Sequence, residues 1–255
     1  MKVNTDGVLL GAAMTLPQDA PLMLDIGTGT GTIALMAAQR HPGATIHAID
    51  IDEASAREAA ENFGASPWAD RLSASCTALA DFRPGCKYGH IFSNPPYYDN
   101  SLMNPDAREG EARHSVSLSY KDILAFAAGN LQEQGTLSLI LPADSEKMLL
   151  RVAGAWGLFP FRLLRVRSTP AKKPSRLIAE FSRARVPVKE ELLTIQESGT
   201  YTQEYKSLTS EFYLFSLTIM NLPVSGCPAS GLRNSGCLPR GSRNQAPRRC
   251  CSCSG

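Results

Sequence analysis

Residues 22–31, Leu22-Met23-Leu24-Asp25-Ile26-Gly27-Thr28-Gly29-Thr30-Gly31, set a short, largely apolar run directly before three glycines spaced two apart. An apolar run of that length closed by glycine is a buried strand ending in a tight turn. From Ile33 to Gln39 apolar residues recur at helical spacing until His41-Pro42 stops them, so the stretch reads strand, glycine turn, helix. The alternation continues. Thr45–Asp50 is a second strand, Glu53–Phe63 a helix stopped at Gly64, and Leu72–Cys76 and His90–Ser93 two more strands. Lys121–Leu131 is helical, Thr136–Leu141 a fifth strand and Ser145–Trp156 a helix. Such a series predicts an α/β fold with a doubly wound, mostly parallel sheet. Phe161–Arg167 and Leu177–Phe181 have no helix between them; they predict an antiparallel hairpin at the sheet edge and bring the expected count to seven strands. Tyr201–Phe215 is expected to close the domain as a helix.

Of the 255 residues, 43% are hydrophobic and 20% charged, the balance of a soluble globular protein. No run approaches the roughly 18 apolar residues of a membrane span, and the N-terminus lacks the pattern of a signal peptide. A cytoplasmic protein with no membrane partner is expected. The net charge of +2 is unevenly spread: five of the 26 Lys and Arg residues and none of the 24 acids fall in 217–255, leaving 21 basic against 24 acidic residues, about −3, on 1–216. Nucleic-acid affinity in the body must therefore come from a local patch. Five of the seven cysteines crowd the same tail without a histidine, so no metal site is expected. Lacking any hydrophobic period and rich in Gly, Pro, Ser and Arg, residues 217–255 are expected to be a disordered, non-native extension of a domain spanning 1–216.

Two sites emerge. Gly27 and Gly29, with Thr28 between them, follow the first strand at the carboxyl edge, where open α/β sheets bind ligands, and glycine lets the backbone approach a ligand closely. Asp50, followed by Ile51, ends the second strand 23 residues after Gly27, where a carboxylate can accept both hydroxyls of a ribose. The competing readings are a plain strand-to-helix turn and a helix-capping aspartate. Because Gly-x-Gly-x-Gly differs from the dinucleotide pattern Gly-x-Gly-x-x-Gly, a ribose-bearing ligand without pyrophosphate fits better.

The second site is Asn94-Pro95-Pro96-Tyr97-Tyr98, after the fourth strand. Two prolines can extend neither sheet nor helix, so they hold Asn94 at a fixed angle. The Asn94 amide oxygen and the Pro95 carbonyl can accept two hydrogen bonds from one planar NH2 group. As the transition state forms, that pair draws the nitrogen lone pair out of conjugation and makes a nucleophile without a strong base. Tyr97 can stack on the flat group carrying the amine.

With Asp25-Ile26-Gly27-Thr28-Gly29-Thr30-Gly31, Asp50 and Asn94-Pro95-Pro96-Tyr97 together, the chain resembles the class I, Rossmann-like, S-adenosylmethionine-dependent methyltransferases that act on exocyclic or amide nitrogens. Met1 to Gly11, Ser66 to Arg71 and Leu208 to Leu214 are similar to the bacterial enzymes that methylate N6 of adenine-37 in valine tRNA. The resemblance runs from residue 1 to about 215. It implies S-adenosylmethionine as cofactor, held by Asp25, Gly27, Thr28, Gly29, Asp50, Ile51 and Asn94, with the target adenine held by Asn94 to Tyr97. It implies a tRNA partner, bound at its anticodon loop. Two departures stand out: the family has an aromatic and basic segment upstream of Met1, expected to be missing here, and it places an acid after the third strand where this chain reads Cys76-Thr77-Ala78-Leu79, with Asp81 the candidate substitute.

Phosphate contacts are expected from Arg165, Arg167, Lys172, Lys173 and Arg176 on and beside the hairpin, against the plainer reading of a solvated, charged edge. Tyr98, and Arg113 with Arg108 and His114, are candidates for covering the target. The alternatives are a protein glutamine-amide methyltransferase, whose target amide the same acceptor pair would hold, and a catalytically silent scaffold. Deleting 217–255 is expected to leave the melting temperature within about 2 °C; a larger drop on thermal denaturation would show that the tail docks on the domain.

Overall fold

In the computed structural model, residues 5–97 and 118–213 are described. The chain divides into two units, Met1–Ser216 and Leu217–Gly255. The described residues all belong to the first, and the expectation for the tail lies outside them.

The chain opens with helix α1 (Thr5–Ala13), then strand β1 (Leu22–Ile26), α2 (Thr32–Arg40), β2 (Thr45–Asp50), α3 (Glu53–Gly64), β3 (Leu72–Cys76) and β4 (Tyr88–Ser93). It continues through α4 (Tyr120–Asn130), β5 (Leu131–Pro142), α5 (Glu146–Ala155), β6 (Phe159–Arg167), β7 (Arg176–Ser182), β8 (Lys189–Thr194), a small antiparallel pair β9 (Gln196–Glu197) and β10 (Thr200–Tyr201), and α6 (Gln203–Thr209). Local chemistry starts the helices: the Asp52 side chain accepts from Ser55 N, Ser119 and Asp122 form a reciprocal capping box, and Thr202 accepts from Tyr205 N.

The main sheet runs β3-β2-β1-β4-β5-β7-β6-β8. All its pairs are parallel except those made by β7, which runs against both β5 and β6. The expected doubly wound sheet and antiparallel hairpin are present, with two corrections. Among the described residues this sheet has eight strands rather than seven, and the hairpin is not the edge, because β8 pairs parallel to β6 from Arg162↔Lys189 to Arg167↔Thr194. β8 reads Lys-Glu-Glu-Leu-Leu-Thr, half-covered on one face only, so its polar sequence carries no buried-strand signal. The closing helix is also shorter than expected, ending at Thr209.

Alternating residues feed two cores. Met23, Phe92 and Ile178 point into one with α1, α2, α3 and α6 residues such as Leu10, Ala37, Phe63 and Tyr205. Leu24, Ile91 and Leu177 point into the other with Ile123, Leu124 and Leu149 of α4 and α5. A buried polar cluster adjoins the first core. Glu180, on β7, is wholly buried and accepts from Ser138 Oγ at 2.8 Å, Thr15 N at 2.6 Å, Thr15 Oγ1 at 2.9 Å and Arg162 Nη1 at 2.9 Å. Arg162 also donates to the Ala13 carbonyl at 2.7 Å, while Arg40 donates to the Gly11 and Met14 carbonyls. Two cations and one carboxylate thus satisfy the C-terminal end of α1 and tie it to the sheet.

Removing one member of a buried, hydrogen-bonded pair leaves the other uncompensated, which costs about 3 kcal/mol or more. Glu180→Ala is accordingly expected to lower unfolding free energy by about that amount in urea titrations at pH 7. Arg162 Nε also donates to the Glu191 carboxylate, and a loss under about 1 kcal/mol would mean that this second carboxylate compensates Arg162 in full.

Candidate active site

β2 and β3 extend the sheet on one side of β1, and β4 extends it on the other. That reversal opens a crevice at the carboxyl ends of β1 and β4. The register Ile26↔Ser93 makes Gly27 and Asn94 the next residues out of adjacent strands, and Ile26↔Ile49 puts Asp50 beside them. A cavity of about 1050 Å³ occupies the crevice. That is the upper end of the roughly 300–1,000 Å³ usual for small-molecule sites, enough for a nucleoside-sized cofactor and a target group together.

The glycine loop forms one wall. Gly27, Gly29 and Gly31 have φ of 70°, 58° and 79°, in the left-handed region that favours glycine. A Cβ at Gly27 would lie 3.0 Å from Leu118, across the cavity wall, and one at Gly31 would stand 2.5 Å from the Phe63 ring. The loop is pinned from behind: Gly27 N and Thr28 N donate to the Ile49 carbonyl, and Gly29 N donates to Asp50 Oδ2 at 2.8 Å. Asp50 Oδ1 accepts from Asp52 N at 3.0 Å. Each Asp50 oxygen keeps further acceptor capacity toward the cavity it lines, the chemistry a pair of vicinal hydroxyls requires. Ile51, half exposed, lines the same wall.

Asp25 is placed differently from the expectation. It is fully buried and is not on the cavity wall; it accepts from Thr28 Oγ1 at 2.7 Å, and Thr28 lines the cavity. Its reach to a ligand is therefore through the loop it braces. Its other oxygen, Oδ1, has no hydrogen-bond partner among the described residues. Burial pushes the Asp25 carboxyl up to about 7, the Thr28 bond pulls it down, and the nearby Asp50 charge raises it again. The loop and the Asp50 acceptors together fit a ribose-bearing cofactor.

The opposite wall is the Asn94 loop. Ser93 Oγ donates to the Ile26 carbonyl at 2.6 Å, binding the ends of β4 and β1 together. Asn94, Pro95, Pro96 and Tyr97 all line the cavity. The Tyr97 hydroxyl lies 2.7 Å from Asp6 Oδ2 and 3.1 Å from Asn94 Oδ1. Thr77 to Ala80 close the far side, whereas Asp81, the candidate substitute for the family's acid, is not on the wall. Sequence reasoning missed Asp6, Asp122 and Phe126, which also line the cavity; only Asp6 carried a signal, as the one charged residue in the largely apolar stretch Thr5–Ala13.

The expected phosphate contacts divide. Arg165 donates to Glu146 from Nε at 2.8 Å and to Glu190 from Nη1 at 2.9 Å, and these partners hold its guanidinium above the usual arginine range. Arg176 donates to Asp6 from Nε at 2.8 Å and lies 5.1 Å from the Tyr97 ring centre. Arg167 donates to Thr194 Oγ1 and the Pro170 carbonyl. Lys172 and Lys173 are exposed on the turn between β6 and β7, and since Arg176 pairs with Pro142 at the end of β5, that turn rises from the same sheet edge as the cavity. Tyr98, Arg108, Arg113 and His114 lie outside the described residues. Among the described residues no His, Cys, Asp and Glu group could hold a metal, and no helix is long and apolar enough to cross a membrane.

The family model "Methyltransferase small domain" matches residues 8–150. A protein of Bacteroides thetaiotaomicron named tRNA1(Val) (adenine(37)-N6)-methyltransferase is 43% identical over 216 residues, covering 84% of this chain and 91% of its own. One of the same name from Vibrio parahaemolyticus is 38% identical over 214 residues, covering 84% and 89%. In fold the chain is similar to a predicted O-methyltransferase from Agrobacterium tumefaciens, with a TM-score of 0.62 at 18% identity over 80% of this chain and 95% of that one. It is also similar to an O-methyltransferase of neocarzinostatin biosynthesis solved with S-adenosylmethionine, with a TM-score of 0.50 at 15% identity over 67% and 51%. A glycine cradle, a ribose-suited carboxylate and a fixed amide acceptor at one sheet edge agree with these matches: the chain belongs to the methyltransferase small domain family, and S-adenosylmethionine is its cofactor.

Proposed function

We propose that the protein transfers a methyl group to the exocyclic N6 amine of adenine in tRNA, at adenine-37 of valine tRNA, in the cytoplasm. The observation that supports this reading is that Asn94 and Pro95 line the same cavity as Asp50 and the glycine loop. The relatives' shared name supplies the nucleotide.

Gly27, Thr28 and Gly29 would hold the cofactor by close backbone approach, Asp50 by its two oxygens, and Ile51 by apolar contact. Bound there, S-adenosylmethionine supplies an activated sulfonium methyl. The protein's own part is to align an amine for in-line attack. Asn94 Oδ1 and the Pro95 carbonyl accept the two amine hydrogens, and both bonds strengthen as positive charge grows on the nitrogen. Pro95, buried, and Pro96 keep the two acceptors from relaxing. Tyr97, 37% exposed at the cavity mouth, offers a ring to the base. An anticodon-loop adenine is unpaired or readily splayed, so little unstacking work is required.

RNA phosphates are assigned to Lys172 and Lys173, which combine exposure with the correct edge. Arg165 and Arg176, committed to carboxylates, are withdrawn from that role. Their ion pairs leave little charge to offer a phosphate.

Binding and chemistry should separate. Asp50→Ala is expected to weaken cofactor binding by roughly 1.5–3 kcal/mol, as calorimetry reads it. Asn94→Ala should leave that affinity nearly unchanged and slow single-turnover methyl transfer to an unmodified anticodon stem-loop by roughly 10²–10³-fold. Asn94→Asp, which keeps an acceptor, should retain part of the rate. Wild-type transfer by Asn94→Ala would reduce the loop to a structural turn.

A further inference from the structure

Three side chains from distant parts of the chain meet at the mouth of the cavity: Asp6 in the first turn of α1, Tyr97 after β4, and Arg176 at the start of β7. Asp6 Oδ2 accepts from both the Tyr97 hydroxyl at 2.7 Å and Arg176 Nε at 2.8 Å, and the guanidinium lies over the Tyr97 ring at 5.1 Å. The Tyr97 hydroxyl has one hydrogen and a second acceptor within reach, Asn94 Oδ1 at 3.1 Å. The carboxylate bond is shorter and charge-assisted, the kind that is roughly twice as strong as a neutral one. Burial, then the Asp6 bond and charge, hold the Tyr97 phenol above its ordinary range, so it remains a proton donor.

We infer that Asp6 is a positioning residue for methyl transfer: it captures the Tyr97 hydroxyl hydrogen and so keeps it from occupying the Asn94 amide oxygen needed by the target amine. This rests on the reading of Asn94 as the amine acceptor. A hydroxyl donating to Asn94 Oδ1 competes with the substrate NH2 for the same lone pairs and withdraws the electron density that stabilises positive charge on the attacked nitrogen. Arg176 has a separate part. Its bond to Asp6 fixes the carboxylate, and its guanidinium sets the tilt of the Tyr97 ring. The far end of α1 is anchored as well, through Arg40 on the Gly11 carbonyl and Arg162 on the Ala13 carbonyl.

Asp6→Ala is expected to slow single-turnover transfer to the unmodified stem-loop by about 10–100-fold with cofactor affinity within about twofold of the wild type. Asp6→Asn, which still offers a neutral acceptor to the hydroxyl, should fall between the two. In a Tyr97→Phe background there is no hydroxyl to divert, so adding Asp6→Ala should change the rate less than about threefold. If Asp6→Ala costs as much in the Tyr97→Phe background as it does with Tyr97 intact, Asp6 acts only by holding Arg176 or α1, and the inference fails. Wild-type rates for both Asp6 variants also overturn it. Should Asp6→Ala not fold, Asp6→Asn with and without Tyr97→Phe gives the same cycle. The underlying reading fails separately, through wild-type transfer by Asn94→Ala.

Discussion

The parallel pairing of β1 with β4 is the constraint on which the site depends. Neither strand is adjacent to the other in sequence, and the register Ile26↔Ser93, locked by the Ser93 hydroxyl on the Ile26 carbonyl, decides that the glycine loop and the Asn-Pro-Pro-Tyr loop leave the sheet together. A shift of one residue would turn every side chain of β4 to the opposite core and carry Asn94 away from Gly27. Both cores oppose such a shift, because Ile91 and Phe92 are fully buried on opposite faces. The site geometry is thus enforced by apolar packing remote from any ligand.

A second dependence runs through α1. Its C-terminal end is satisfied by Arg40 and Arg162, and Arg162 is neutralised by the buried Glu180. Its first turn supplies Asp6 to the cavity mouth. A helix of nine residues has little stability alone, so its position is a consequence of tertiary contacts rather than of propensity. Stability and alignment are linked here: the polar cluster that fixes one end of the helix also sets where its other end can place a carboxylate.

Much of this was legible in the sequence because the decisive signals are local. Gly27 to Gly31, Asp50 and Asn94 to Tyr97 each carry their chemistry within a few residues, and the βα alternation places them all at one edge. What sequence could not show is pairing. Arg165 and Arg176 read as available charge because Glu146, Glu190 and Asp6 are brought to them only by the folded sheet. Strand β8 escaped notice because a half-exposed Lys-Glu-Glu-Leu-Leu-Thr has the composition of a loop. Asp25, read as a cofactor contact beside its glycines, instead sits beneath the wall and braces Thr28, since residue 25 still belongs to the strand rather than to the loop. Glu180 is the opposite case: a lone acid within the apolar Leu177–Phe181 run was visible, and only the structure reveals its four bonds.

On this reading one cavity presents a nucleobase amine to an activated methyl. The most direct test is to supply isotopically labelled S-adenosylmethionine with bulk unmodified tRNA, total protein and DNA in parallel, and to identify the labelled nucleoside or residue by mass spectrometry. Label is expected in tRNA alone, as N6-methyladenosine at position 37 of valine tRNA. Label appearing instead on a glutamine side chain of protein, or in DNA, would contradict that reading.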